Sequence, residues 1–428
     1  MHRVLIFITF MVASLLPASA NAQRIPPLPT DYSQVEIFLG TRDIGHEVYS
    51  KYGHSIVRVL DHKTNIDVAY NWGTFDFEAP GFVPKFLEGI LIYNMSWGPW
   101  WEEVDVSQYE LQTMWMERIN LTNKQKEILV RRVNWNAQPA NVHYPYLFFY
   151  DNCSTRVRDL IDEATRGKVK ETTFTRKTGR SYRDRVMEHN ASVPIFAMGQ
   201  DVILNSEPDR EMSEWDDMFI PINLRESLLK VPAVDDEGKE IPGVAVLSDT
   251  RILTKFPRPE IPSVNGYAFF WILAGLPAVL GLWLFKIKKR PKLAVRLIGF
   301  SEVVLGGLWF FFGVFMALSW AYGSHTVLPR NVNLLLMWPT DVLYLVLGFK
   351  LLWRGEWVSE TGKFWQALVW NTRAHFVSMV IFLIIGLGHL VSQNVTMVAL
   401  WFVPLTAIVF GIGLSRPSIE IAVKGDNQ

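Results

Sequence analysis

Hydrophobic and polar positions are distributed unevenly along the chain, and the unevenness divides it. From residue 24 to about 262, charged, proline and aromatic positions are interleaved with apolar ones on short periods. Over 266–415, long apolar runs dominate. A bilayer crossing needs ~20 mostly apolar residues. Five segments fit that pattern: Tyr267–Ile287, Leu297–Ala321, Leu334–Trp353, Phe376–Ser392 and Val395–Leu414. The third is interrupted by Pro339 and Asp341, and the fourth is short. A separate apolar run, Val4 to Leu16, follows His2 and Arg3. It precedes two small-x-small sites, Ala18-Ser19-Ala20 and Ala20-Asn21-Ala22. That order predicts a secretory signal peptide over 1–22.

Shorter periods predict the elements of the first half. Cys153, Val157, Leu160, Ile161 and Ala164 recur at helical spacing. Arg156, Arg158, Asp159, Asp162 and Glu163 fill the remaining faces, and Asp151 and Asn152 are suitable N-caps. Upstream, Ser55–Leu60 and Ile66–Asn71 read as strands around the polar turn Asp61–Asn65, a β-hairpin. A turn centred between His62 and Lys63 sets His54 opposite Asn71, with Cβ atoms ~5 Å apart. Thr122 and Gln125 form a capping-box start for a further helix. The aromatic stretch PGFVPKFLEGILIYNMSWGPWWEEV is expected to divide between core and greasy surface. Residues 166–262 are charged and turn-rich, and their pattern defines no fold. Arg180, Arg183 and Arg185 read there as a solvated helix face, and VDDEGKEIPG as an exposed turn.

Charge then sets the orientation. The first connection between spans holds Lys286, Lys288, Lys289, Arg290, Lys292 and Arg296, and the third, around Lys350 to Arg373, holds four basic residues. The second holds only Arg330, and the fourth none. Basic loops face the cytoplasm. The expectation is a multi-pass protein of the bacterial inner membrane, with its first half in the periplasm and its C-terminus in the cytoplasm. Glu302, Asp341 and His389 fall within spans and are read as interfacial or paired within the bundle. His325, Arg330, Asn331 and Asn333 lie in an outward loop at headgroup level. The chain has 42 basic and 42 acidic residues, so nothing points to nucleic acid. It has no Walker loop, GxGxxG or HExxH, and no cofactor or metal is expected.

The candidate chemistry rests on one cysteine, Cys153. In an exported chain a lone cysteine has no internal disulfide partner. It is either packed core or a reactive thiol. At the first turn of a helix, backbone N–H groups and the helix dipole favour a thiolate and are suited to an oxyanion. A thiol nucleophile needs a base. His54, held by a strand and preceded by Gly53, is the best candidate; His46, His62, His143 and His189 compete. Asn71 would orient the imidazole, as in a Cys-His-Asn set, with Asp76 as the alternative.

Taken together, YSKYGHSIVRV, YNWGTFDF and FFYDNCSTRVRDLI resemble the signature of the Lnb family of bacterial lipoprotein N-acyltransferases. The resemblance is strong over about residues 35–165 and weaker elsewhere, where NVNLLLMWPTDVL is similar to a family segment. It implies three regions: a signal peptide over 1–22, a periplasmic Cys/His catalytic domain over 23–262, and a helical membrane domain over 263–428. It implies an α+β soluble domain resembling a permuted papain-like, NlpC-type fold, followed by an all-α membrane bundle of about five spans. His54 would be the base and Cys153 the nucleophile. The acyl donor would be a membrane phospholipid, and the acceptor the N-terminal amine of a diacylglyceryl-cysteine lipoprotein. Three alternatives stand beside it. One is a phospholipase, with water replacing the amine. Another is a cell-wall amidase or peptidase, for which five spans are superfluous. The last is a non-enzymatic envelope factor with Cys153 in its core.

Overall fold

A computed structural model describes residues 24–75, 91–287, 289–323, 326–356, 362–388 and 390–425. The expected signal peptide, Asp76, His325 and His389 lie outside the described residues.

The first half is built on an antiparallel sheet of seven strands: β1 (Val35–Arg42), β2 (His54–Asp61), β3 (Ile66–Phe75), β4 (Leu91–Pro99), β5 (Met114–Ile119), β6 (His143–Tyr146) and β7 (Leu247–Thr254). Their spatial order is β7-β5-β1-β2-β3-β4-β6. Alternating side chains point to opposite faces, and both faces are covered. Ile37, Leu39, Val57, Val59, Tyr70 and Trp72 pack with helices α2 (Asn123–Asn136) and α3 (Cys153–Ala164). On the other face, Phe38, Ile56 and Ala69 pack with Trp100 of α1 (Trp100–Tyr109). The sheet-rich arrangement agrees with the α+β expectation. Strand β7 comes from the region whose pattern defined no fold and closes the sheet beside β5.

Two local expectations hold. Thr122 and Gln125 form the capping box of α2. On α3, Val157, Leu160, Ile161 and Ala164 are all buried. Asn152 caps that helix and is fixed on both sides. Its Oδ1 accepts from Ser154 N and Thr155 N at 2.9 Å each, and its Nδ2 donates to the carbonyls of Phe148 and Phe219 at 2.9 Å each. Cys153 is therefore pinned at the first helical position.

Arg183 departs from its expected solvated face. It lies on α4 (Tyr182–Asn190) and is 3% exposed. It pairs with Asp201 at 2.8 Å and Asp209 at 2.6 Å, and its guanidinium donates to the carbonyls of Leu204 and Asn205 at 3.0 and 2.7 Å. The partners lie on α5 (Pro194–Ile203) and the turn after it, beyond the reach of a local pattern. Arg180 is exposed and pairs with Glu188 at 2.9 Å, whereas Arg185 is half-buried and forks onto the buried Asp217 at 2.8 and 2.6 Å as well as meeting Glu188.

The second half is helical: α6 (Gly266–Lys286), α7 (Pro291–Tyr322), α8 (Val342–Arg354), α9 (Lys363–Leu387) and α10 (Thr396–Gly425). Three helices among the described residues, α6, α7 and α9, are long and apolar enough to cross a membrane; α10 is apolar over Thr396–Ile412. The third expected span is broken into 3₁₀ turns at Val332–Leu335 and Pro339–Asp341, then α8 of 13 residues. At 1.5 Å per residue α8 spans ~20 Å, short of a ~30 Å hydrocarbon core. Asp341 is buried where the break occurs. It caps Trp338 N at 2.7 Å and meets His375 Nε2 at 2.6 Å.

The two halves are joined by polar contacts. Asn331 and Asn333 Nδ2 both donate to the Val202 carbonyl, at 2.9 and 2.8 Å, and Tyr267 Oη donates to Asp201 at 2.6 Å. Asp209 accepts from the backbone of Asn394 at 2.9 Å. Arg183 thus anchors the two carboxylates that reach the membrane helices. Removing one partner of a buried ion cluster costs about 3–5 kcal/mol. Arg183→Met is expected to lower the thermal melting point of the detergent-solubilised chain accordingly. Arg183→Lys should recover only part, since one ammonium cannot replace a five-donor fork. An unchanged melting point for Arg183→Met would contradict this role.

Candidate active site

The hairpin brings His54 and Asn71 together by a different register from the expected one. Asp61 pairs with Ile66 and Ile56 with Asn71, so the turn centres between Lys63 and Thr64. Asn71 therefore sits diagonal to His54. The displacement is two residues, not one, so both side chains stay on the same face of the sheet. Asn71 Oδ1 lies 2.7 Å from His54 Nε2.

The remaining links were not legible in the sequence. Asn71 Nδ2 donates to Glu103 Oε1 on α1, and Glu103 Oε2 pairs with Arg42 Nη2 at 3.3 Å. Arg42 is the last residue of β1 and the register partner of His54. A carboxylate accepts and cannot donate. It therefore turns the amide nitrogen of Asn71 toward itself and leaves Oδ1 for the ring. His54 Nε2 must then carry the proton, and Nδ1 is the basic nitrogen. This tautomer suits a general base, because the orienting bond and the proton-accepting lone pair lie on different nitrogens.

Cys153 comes to the same place from the opposite face of the sheet. Gly73 marks the meeting point. It has a φ of +120°, and a Cβ built there would lie 3.7 Å from His54 Cε1 and 3.9 Å from Cys153 Cβ. A side chain at 73 would therefore touch both His54 and Cys153. Both residues line one cavity of about 360 Å³, with Arg42, Gln112, Tyr93 and Tyr146 among its walls.

Burial, assisted by the positive charge of Arg42, holds His54 down to about 3, against the opposing bond from Asn71. The imidazole is neutral at pH 7. Burial pushes the Cys153 thiol above its ordinary value of 9.0, although the backbone N–H groups of Ser55, Ser154 and Cys153 and the charge of Arg42 pull the other way. The helix terminus favours a thiolate, as expected, but desolvation outweighs it. Of the first-turn amides, those of Ser154 and Thr155 are already taken by Asn152. Cys153's own amide is the one left for an oxyanion.

The competing histidines lie elsewhere. His46 and His143 are exposed, and His62 pairs with Glu36 at 2.9 Å. His189 contacts the Lys51 carbonyl at 3.0 Å through Nδ1. Asp76, the alternative orienter, is outside the described residues.

Residues 29–183 match the profile of the Lnb N-terminal periplasmic domain. No curated protein and no solved structure matches the chain. The matched segment contains Arg42, His54, Asn71, Glu103 and Cys153, and it supports membership of the Lnb-type family. It agrees with a membrane protein whose N-terminal domain is periplasmic.

The raised thiol makes a pH prediction. A thiolate is the reactive form toward iodoacetamide, and its fraction grows only as pH approaches and passes the raised value. Alkylation of Cys153, the sole cysteine, is expected to be slower at pH 7 than for free cysteine and still climbing above pH 9. It should show no inflection near 6.5, because His54 is neutral across that range. A rate plateau below pH 7, read by intact-mass kinetics, would instead reveal a standing thiolate–imidazolium pair.

Proposed function

We propose, for a chain of the Lnb-type family with this site, that it transfers a fatty acyl chain from a membrane phospholipid to the N-terminal amine of a diacylglyceryl-cysteine lipoprotein. The observation that carries the reading is a Nε2-anchored imidazole sharing one cavity with the only thiol in the chain. The order of the parts, a strand histidine followed by a cysteine opening a helix packed on an antiparallel sheet, supports a permuted papain-like arrangement.

The transfer has two steps. His54 Nδ1 takes the proton from Cys153 Sγ as sulfur attacks the ester carbonyl. An S–C bond forms, the ester C–O bond breaks, and the proton passes to the departing lysophospholipid oxygen. The lipoprotein amine then attacks the thioester. A C–N bond forms, C–S breaks, and the amine proton returns through His54 to sulfur. A thiol suits this sequence because it leaves readily on attack by an amine. Neutral His54 and neutral Cys153 are the protonation states the first step requires. Asn71, held by Glu103, keeps the ring in the working tautomer, and Arg42 keeps Glu103 in place. Apolar helices hold the domain at the inner membrane, where both substrates reside.

In cells where this chain alone completes lipoprotein acylation, Cys153→Ala is expected to leave lipoproteins diacylated with a free N-terminal amine. Mass spectrometry of the N-terminal peptides reads this directly, and unchanged triacylation would contradict the proposal. Asn71→Ala is expected to slow transfer by about 10²-fold, the scale of losing an oriented general base. Glu103→Gln, which lets the Asn71 amide turn over, should produce a smaller loss of about tenfold. Unchanged activity in both Asn71→Ala and Glu103→Gln would remove an oriented His54 from the mechanism.

A further inference from the structure

A second cavity, of about 410 Å³, adjoins the Cys–His cavity and shares five of its wall residues: Tyr49, Tyr52, Tyr93, Tyr146 and Phe148. It continues past Val186, Phe196 and Ile203 to Thr326, Val327 and Leu328, the loop that follows α7. We propose that this groove receives the fatty acyl chain that Cys153 takes from its donor. The inference rests on the thioester reading above and adds the place where the chain lies.

Three observations select an acyl chain over other occupants. The walls are mostly carbon: Phe148 packs edge-on against Tyr52 at 4.8 Å between ring centres, and Tyr93 stacks on Tyr146 at 4.2 Å. Two polar groups along the walls are already engaged with their surroundings. Asn190 Nδ2 donates to Tyr52 Oη at 2.7 Å and to Gln200 Oε1 at 2.6 Å. A peptide would meet few partners for its backbone there, and buried backbone groups need partners. The far end also lies beside the bilayer level. Trp320 and Tyr322, near the end of α7, are exposed, and such residues favour the membrane–water interface. The loop carrying Val327 follows them and is tied to the soluble half, the Asn205 amide donating to the Val327 carbonyl at 2.9 Å. The groove thus runs from the loop after α7 to the walls of the cavity that holds Cys153.

Two measurements on the full-length protein in detergent test this. The first uses p-nitrophenyl butyrate and p-nitrophenyl palmitate. Cys153 Sγ bonds to the acyl carbon, the aryl ester C–O bond breaks, and nitrophenolate leaves while the thiol proton passes through His54 to solvent. Burial of each methylene contributes roughly fourfold to kcat/KM, so palmitate should be strongly preferred. Val327→Trp, which narrows the far end, should lower kcat/KM for palmitate by about tenfold or more and that for butyrate by less than about twofold. Equal losses on both esters, or no chain-length preference in the unaltered protein, would overturn the proposal.

The second measurement does not need the chemistry. A diazirine-bearing palmitic acid, irradiated with the Cys153→Ala protein, should crosslink to Phe196, Ile203 or Val327 and be displaced by palmitate. Crosslinks confined to α6, α7 and α9, or groove labelling by a diazirine lipopeptide headgroup in place of the chain, would overturn it. Groove crosslinks in the Cys153→Ala protein, with no acyl-thioester formed on Cys153 of the unaltered protein by the palmitate ester, would leave the acyl groove standing and sink the thioester reading. An adduct without groove crosslinks would do the reverse.

Discussion

A carboxylate accepts hydrogen bonds and donates none, and the candidate site depends on that fact. Glu103 sits where it can only accept from Asn71, so the amide has one stable orientation. Its oxygen faces His54, and the ring has one tautomer. Four elements each supply a link: Arg42 ends β1, His54 opens β2, Asn71 lies on β3 and Glu103 on α1. Half-buried polar groups stabilise one another through such networks, and here the run of bonds ends on the Arg42 guanidinium, paired with Glu103 at 3.3 Å. The side chain that would do the chemistry is therefore set by Asn71, Glu103 and Arg42.

Cys153 reaches the cavity it shares with this ring by a different route. Helix α3 packs on the opposite face of the sheet from α1, and Asn152 holds its first turn from both sides. His54 is the first residue of its strand, so a group arriving from the far face can meet its ring past the strand end. Gly73 keeps the meeting point open. Burial leaves both partners neutral, which places thiolate formation within the reaction and not before it. A neutral pair exposes no persistent reactive anion in an oxidising compartment, where thiolate character governs oxidation.

How much of this was legible in the chain follows from the range of each interaction. The helix at Cys153 and its Asn152 cap are local, and their pattern was complete within a dozen residues. His54 and Asn71 were paired from the hairpin, yet the turn was placed too early. Residues Asp61 to Asn65 permit both registers, and only the packed sheet decides between them. Glu103 and Arg42 were missed because nothing local distinguishes them from other surface charges; their partners lie 32 and 61 residues away. Arg183 was assigned to solvent for the same reason. The third expected span failed at the feature already visible in it, the Pro339–Asp341 break, whose carboxylate finds His375 inside the bundle.

The helical half gives the site its setting. Polar side chains from the loop after α7 and from α6 grip α5 and its carboxyl turn, so the soluble domain is fastened to the apolar helices. That fastening suits the proposed transfer, in which donor and acceptor are both held in a membrane. The most direct test is to incubate the purified protein with phospholipid and no acceptor and weigh the intact chain. A mass increase of one acyl group per chain is expected, located on Cys153 and released by neutral hydroxylamine. A chain that gains no acyl group, or carries it on a residue other than Cys153, would contradict it.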